Sequence, residues 1–367
     1  MGDQKLSLTG EQRDLPIETH GLLTTSSLLP ILMQRGIPVY HRAINYHTAK
    51  EYTIADKPYI FTSPVTFTPY ASAKPCSARC WFCSENLRIE KTHGSGALLR
   101  PKLHYQDQLA EVLKQLKPIP LGLSLSGLEI TDDPEWLLAT LDTLEAWQQS
   151  GGQWLEKAAY TNAAGMINAG VIDALAKFEL DRVEVSRHHF SESSNQSIMN
   201  FRPDQSIQSQ AVFERCLKQM NENLPVTLVC LLQLQGVYTD EAVLHYINWA
   251  NSLGVKKVIF RELCEVPRYY QASKTFKKIP LYRQSIEQLV HQWLNGSQAT
   301  VNSFTNGYYF WNAEFKFNDM NVVFERSDYG LMNQAHGSDI IHKLVFFANG
   351  HLCAGWEPTK RVLYSVS

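Results

Sequence analysis

Cys76, Cys80 and Cys83 stand within Cys76–Ser77–Ala78–Arg79–Cys80–Trp81–Phe82–Cys83, whereas Cys216, Cys230, Cys264 and Cys353 are scattered singly. Three thiolates in one loop form a soft ligand set suited to zinc or to an iron–sulfur cluster. A structural zinc site needs a fourth protein ligand, and with no further cysteine nearby only His93 offers one. A [4Fe–4S] cluster held by three cysteines keeps one iron without a protein ligand, which makes an open coordination site rather than the closed one of an electron carrier. Three unrelated cysteines crowded into one loop have no packing rationale. Cys216 shares a helical face with Phe213, Leu217 and Met220, and Cys230 sits in an apolar strand, so both read as core.

The elements that position this loop follow a repeated βα pattern between residues 62 and 265. Strands are expected at Val65–Pro69, Leu121–Leu125, Lys157–Thr161, Arg182–Ser186, Val226–Leu232 and Lys257–Arg261. Asp133 and Pro134 start a helix carrying Leu137, Leu141 and Leu144 on one face, with Gly151 beyond its end. Thr239 starts another, which Gly254 closes. Asp132 and Asp133 look like a catalytic pair, but their place before Pro134 points to capping. Six βα units are two short of a full barrel, and an open doubly wound sheet gives a similar one-dimensional pattern. Residues 272–295 read as a linker and a helix with Ile286, Leu289, Val290 and Trp293. Beyond it, β-rich runs at Val301–Phe304, Tyr308–Phe317, Asn321–Glu325 and Ile340–Trp356 are broken by Asn306–Gly307, Asn318–Asp319 and Asn349–Gly350, which suggests hairpins packed on the barrel. The first 60 residues show no clear period.

The motif C-x3-C-x2-C with aromatic Phe82 before its last cysteine resembles the signature of the radical S-adenosylmethionine (SAM) enzymes, especially the branch of the molybdenum-cofactor cyclase. Ser126, Gly127 and Glu129 lie in a segment similar to that family's Gly-Gly-Glu-Pro, which holds the methionine amino group of SAM largely through backbone atoms. Asn162 resembles its third-strand Thr-Asn ending and Ser186 its fourth-strand serine. The resemblance implies a partial (β/α)6 barrel over residues 62–271, an N-terminal extension over 1–61 and a C-terminal helix and β-rich extension over 272–367 covering the barrel mouth. It also implies one [4Fe–4S] cluster on Cys76, Cys80 and Cys83, with SAM at the C-terminal ends of the strands, as expected of a barrel. The cluster passes one electron to SAM, and the resulting 5′-deoxyadenosyl radical abstracts hydrogen from a substrate. A reducing partner such as flavodoxin or ferredoxin is implied as well.

Around that mouth, Arg187 suits the SAM carboxylate or a surface ion pair, and Glu262 either faces the cavity or forms a rim salt bridge. His188 and His189 either meet a substrate or serve as surface groups. Cys353 and its rival Cys264 suit hydrogen-atom return, against the alternative that Cys353 is packed and inert. With Cys264 and Cys353 isolated, no second cluster of a familiar kind can be assembled, so the expected substrate is a small polar metabolite such as an amino acid, sugar or nucleotide. Peptide modification is the alternative, and an iron–sulfur carrier or sensor without SAM chemistry is an alternative of another class. Gly94–Ser95–Gly96 lacks the third glycine and lysine of a phosphate loop.

Composition bounds these readings. The 367 residues are 44% hydrophobic and 11% aromatic, enough for a sizeable core. A formal charge of -2 gives no electrostatic reason to expect nucleic acid or an anionic membrane. No apolar run approaches the roughly 18 residues of a membrane helix, and the polar start lacks a signal peptide's apolar stretch. Seven cysteines without an export signal argue for reduced thiols, so a cytoplasmic protein is expected.

Overall fold

Apolar runs such as Val226–Leu232 cannot leave a face in water, and they form the centre of a parallel sheet covered by helices. The computed structural model describes residues 22–42, 49–72, 74–83, 101, 104–264, 279–296 and 298–366; His93 and Gly94–Ser95–Gly96 lie outside them. Among the described residues a 3-10 turn at Leu22–Thr25 precedes α1 (Leu29–Arg35), β1 (Val39–Arg42) and β2 (Lys50–Ile54). Then come β3 (Lys57–Tyr70), α2 (Tyr105–Leu116), β4 (Leu121–Leu125), α3 (Pro134–Gln149), β5 (Trp154–Thr161) and α4 (Ala169–Lys177). The next group is β6 (Arg182–Ser186), α5 (Glu192–Met199), α6 (Gln210–Asn223), β7 (Val226–Leu232), α7 (Asp240–Ser252) and β8 (Lys257–Glu262). The C-terminal part holds α8 (Ile279–Tyr282), α9 (Ile286–Asn295), β9 (Thr300–Gly307), β10 (Phe310–Phe317), β11 (Met320–Ser327), α10 (Tyr329–His336), β12 (Ile340–Phe347), β13 (His351–Ala354) and β14 (Val362–Ser365).

Strands β3 to β8 pair in sequence order and all in parallel, the partial (β/α)6 barrel expected. The caps agree: Asp133 accepts from Trp136 N and Thr239 from Ala242 N. The C-terminal strands extend this sheet instead of forming a separate layer over it. β11 joins β8 in parallel and β12 joins β3 in parallel, so eight parallel strands run side by side. β9 and β10 add antiparallel strands beyond β11, and β13 and β14 beyond β12. β1 ends the β9 edge, while β2 pairs with β3. No described helix is long and apolar enough to cross a membrane.

β11 and β12 are not paired with each other, and α10 connects them. Side chains fill the seam: the Tyr308 ring lies 4.5 Å from His342, and its hydroxyl is 3.0 Å from His336 Nε2. Burial, with some help from nearby cations, pushes His336 down to about 3 and His342 to about 4.

Alternation sets the barrel's inner face. Val183 and Val185 join the core under the helices, so Arg182, Glu184 and Ser186 face inward. The inner face carries a ladder of alternating charge. Arg42 Nη2 lies 2.7 Å from Glu156, whose other oxygen is 2.6 Å from Arg182 Nη1. Arg182 Nε is 2.9 Å from Glu184, Glu184 is 2.9 Å from Arg261 Nη2, and Arg261 Nε is 2.5 Å from Glu325.

Glu184→Gln leaves Arg182 and Arg261 short of a shared counter-charge, and urea unfolding should show a loss of about 3–5 kcal/mol. His336 and His342 are neutral when folded, but as pH falls below about 6.5 the unfolded chain gains protons the folded one refuses. Their contribution is therefore complete at pH 7 and falls by up to about 1.4 kcal/mol per histidine per pH unit on acidification toward pH 4. The urea midpoint should drop over that window, with a shallower slope in His336→Gln.

Candidate active site

A cavity of about 490 Å³ opens at the C-terminal ends of the barrel strands. One wall is the loop after β3, which brings Cys76, Cys80, Phe82 and Cys83 to the cavity. Backbone bonds fix this loop to the end of α5: Arg79 N donates to Met199 O at 3.0 Å, and Arg202 N donates to Ser77 O at 3.0 Å. Asp132 Oδ2 accepts from Ser77 N at 2.6 Å, so Asp132 anchors the loop while only its neighbour Asp133 caps α3. Trp81 Nε1 donates to Gln233 Oε1 at 3.1 Å, and the Phe82 ring meets His188 edge-on with centroids 5.0 Å apart.

The strand ends complete the wall. Glu129 is buried and its carboxylate accepts from Thr131 and Thr161 hydroxyls at 2.6 Å and from Asn162 N. Its charge is thereby committed to joining the β4 and β5 ends, and burial raises its pKa. Asn162 in turn donates to Ser77 Oγ at 2.9 Å and comes within 3.8 Å of Cys76 Sγ. Gly127 has a φ of +106°, and a Cβ there would overlap the Tyr70 ring; only glycine fits between ring and cavity. Ser126 and Ser186 also line the cavity.

Burial raises the pKa of Cys76 and Cys80, and the nearby Cys83 adds to the effect in both. Among the described residues no three His, Cys, Asp or Glu converge on a single metal ion. Three soft sulfurs around one opening suit the larger cubane, whose ligands bind separate irons.

Other sequence candidates are placed differently. Arg187 follows inward-facing Ser186 and so turns outward; it is fully buried, bonded to Gln210 at 2.6 Å and stacked 4.3 Å from the Phe213 centroid. It reaches neither the cavity nor the surface. Glu262 borders the cavity, but its carboxylate points to the helix layer, where it pairs with Arg283 and accepts from Ile286 N at 3.0 Å. Arg261, one residue earlier, faces inward instead. His188 accepts from Leu231 N at 3.0 Å and burial pushes it down to about 3, so it is a neutral wall group. His189 accepts from Ser191 N at 2.8 Å. Cys353 is fully buried behind Tyr70 with Val345 and Phe347, while Cys264 lines the cavity, 2.8 Å from Ser327 O. Burial pushes the Cys264 thiol up to about 12, helped by Glu262.

The lining also holds residues that the sequence did not single out: Arg261, Tyr309, Ser327, Tyr329, Met332 and Trp356. Only the parity of Arg261 with inward-facing Ile259 could have revealed one of them.

No family model matches this sequence, and no curated protein does. Solved structures with a partly similar fold include SuiB from Streptococcus suis bound to S-adenosylmethionine, at 15% identity and a TM-score of 0.49 over 80% of this chain and 60% of that one. Coproporphyrinogen III oxidase (HemN) from Escherichia coli, described as a radical SAM enzyme, aligns at 13% identity and a TM-score of 0.43 over 68% of this chain and 66% of that one. The chain thus spans less than two thirds of the length of either structure.

Asp132→Ala should release the cysteine loop, at a cost of about 1–3 kcal/mol for the lost buried partner. Hydrogen exchange should rise at residues 76–83 in that variant. Asp133→Ala should leave their exchange unchanged and lose only the cap of α3, about 1 kcal/mol.

Proposed function

We propose that the protein is a radical SAM enzyme in which Cys76, Cys80 and Cys83 hold one [4Fe–4S] cluster and a small polar metabolite is the substrate. The observation that carries this reading is the convergence of three cysteines, Asn162, Ser186 and the Ser126–Gly127 backbone on one cavity at the mouth of a parallel barrel. When bound, such a cluster supplies the one-electron cleavage of SAM that yields a 5′-deoxyadenosyl radical.

The chain's own residues supply position and shelter. Glu129 fixes Asn162, and Asn162 with Asp132 fixes the loop that carries the cysteines. Gly127 lets backbone approach the cavity, and Phe82, Tyr70 and Trp356 give it apolar walls. Close placement of substrate against SAM is what hydrogen abstraction requires, and a cavity of about 490 Å³ favours a small substrate over a folded partner. Of the two isolated thiols, Cys264 is the one on the cavity. In returning hydrogen it would break its S–H bond as the substrate's C–H bond forms, and one electron and one proton from the reducing partner would restore the thiol.

Anaerobic reconstitution should give about four irons and four sulfides per chain, none in the Cys76→Ala/Cys80→Ala/Cys83→Ala variant. SAM should alter the electron paramagnetic resonance spectrum of the reduced protein, and dithionite should release 5′-deoxyadenosine. Stoichiometric zinc without iron would overturn the reading, and a cluster indifferent to SAM would favour the carrier.

A further inference from the structure

Arg261 enters the cavity from the end of β8, its side chain 29% exposed. Its Nε donates to Glu325 at 2.5 Å and its Nη2 lies 2.9 Å from Glu184 as an ion pair, whereas Nη1 has neither kind of contact among the described residues. The hydrogen bond to Glu325 and the ion pair with Glu184 restrict the guanidinium, so less ordering is left for a ligand to impose. Within the ladder the arginines and glutamates balance. Lys343 breaks that balance: it is buried, donates to Thr68 Oγ1 at 2.8 Å, lies 4.5 Å from the centroid of the cavity-lining Trp356 ring, and pairs with no carboxylate among the described residues. Burial pushes Lys343 down to about 7, so an anion nearby would favour its charged form. Glu129, buried in the lining of the same cavity with no cationic partner among the described residues, offsets Lys343, so what the interior offers an anion is the spare guanidinium nitrogen.

We propose that the substrate carries a carboxylate that docks on Arg261 Nη1, with an apolar or aromatic body against Met332, Leu263 and Trp356. The proposal rests on the reading of this cavity as the seat of SAM chemistry. A phosphate dianion would bring a second charge toward Glu184 and Glu325, and a neutral amide would forgo the charge-assisted bond. Competition with SAM tells whether the docked group is the substrate's or the carboxylate of SAM, because the two cannot share one guanidinium nitrogen.

The test uses the anaerobically reconstituted full chain in calorimetric titrations, with and without saturating SAM. The probes are the matched pairs phenylacetate and phenylacetamide, and hexanoate and hexanamide, together with inorganic phosphate. At least one acid should bind tenfold or more tightly than its amide and more tightly than phosphate, with SAM present. Arg261→Gln should abolish that preference, and Arg261→Lys should retain part of it. The idea fails if neither acid is preferred, if phosphate binds more tightly, if SAM displaces the acids, or if the preference survives in Arg261→Gln. Should that variant not fold, the wild-type comparisons decide alone. The spectral response to SAM is read on the same samples: acid preference without that response removes the radical reading and leaves the anion site, while the response without acid preference removes the anion site only.

Discussion

The ladder of Arg42, Glu156, Arg182, Glu184, Arg261 and Glu325 ties five strands together through the inside of the barrel. Closed barrels of this kind usually fill that space with branched apolar side chains. Here much of the interior is charged, and such groups are tolerated only because each has at least one partner of opposite sign. Arginine suits the task because one planar group can face two carboxylates at once. The ladder joins β1 near the N-terminus to β11 near the C-terminus, so segments remote in sequence share one electrostatic unit. It also orients Arg261 in the lining of the cavity.

The upper half of the cavity depends on a different set of bonds. Glu129 spends its acceptor capacity on Thr131, Thr161 and Asn162, which is why a carboxylate at the mouth is a structural pin there and not a free base. Asn162 and Asp132 pass that rigidity on to Ser77. The cysteine loop is therefore positioned by three strand ends and a helix terminus, with few bonds within itself.

Much of this architecture is legible in the residue order. The six barrel strands, the caps Asp133 and Thr239, and the cysteine loop lie where hydrophobic period, turn chemistry and ligand spacing put them. The placement of the C-terminal strands is not legible, because which sheet edge a strand joins depends on contacts far away in sequence. Side-chain direction at strand ends is legible only through parity. Arg187 and Glu262 share parity with the valines and phenylalanine that pack under the helices, so their polarity misleads where alternation does not. Cys353 faces inward, and its isolation from the cavity comes from the Tyr70 and Trp356 rings, which no local pattern announces.

The unpaired seam between β11 and β12 gives this barrel a different kind of wall. In a fully closed barrel the radius is fixed by strand number and stagger, and it changes only if a whole ladder of backbone bonds shifts register. Here the circumference is completed by the rings of Tyr308 and His342 and by α10, whose Tyr329 and Met332 also line the cavity. The bore is consequently a side-chain property. Trimming or enlarging a few residues can resize the chamber while the eight-strand frame keeps its hydrogen bonds, so this scaffold can be refitted to new ligands one residue at a time.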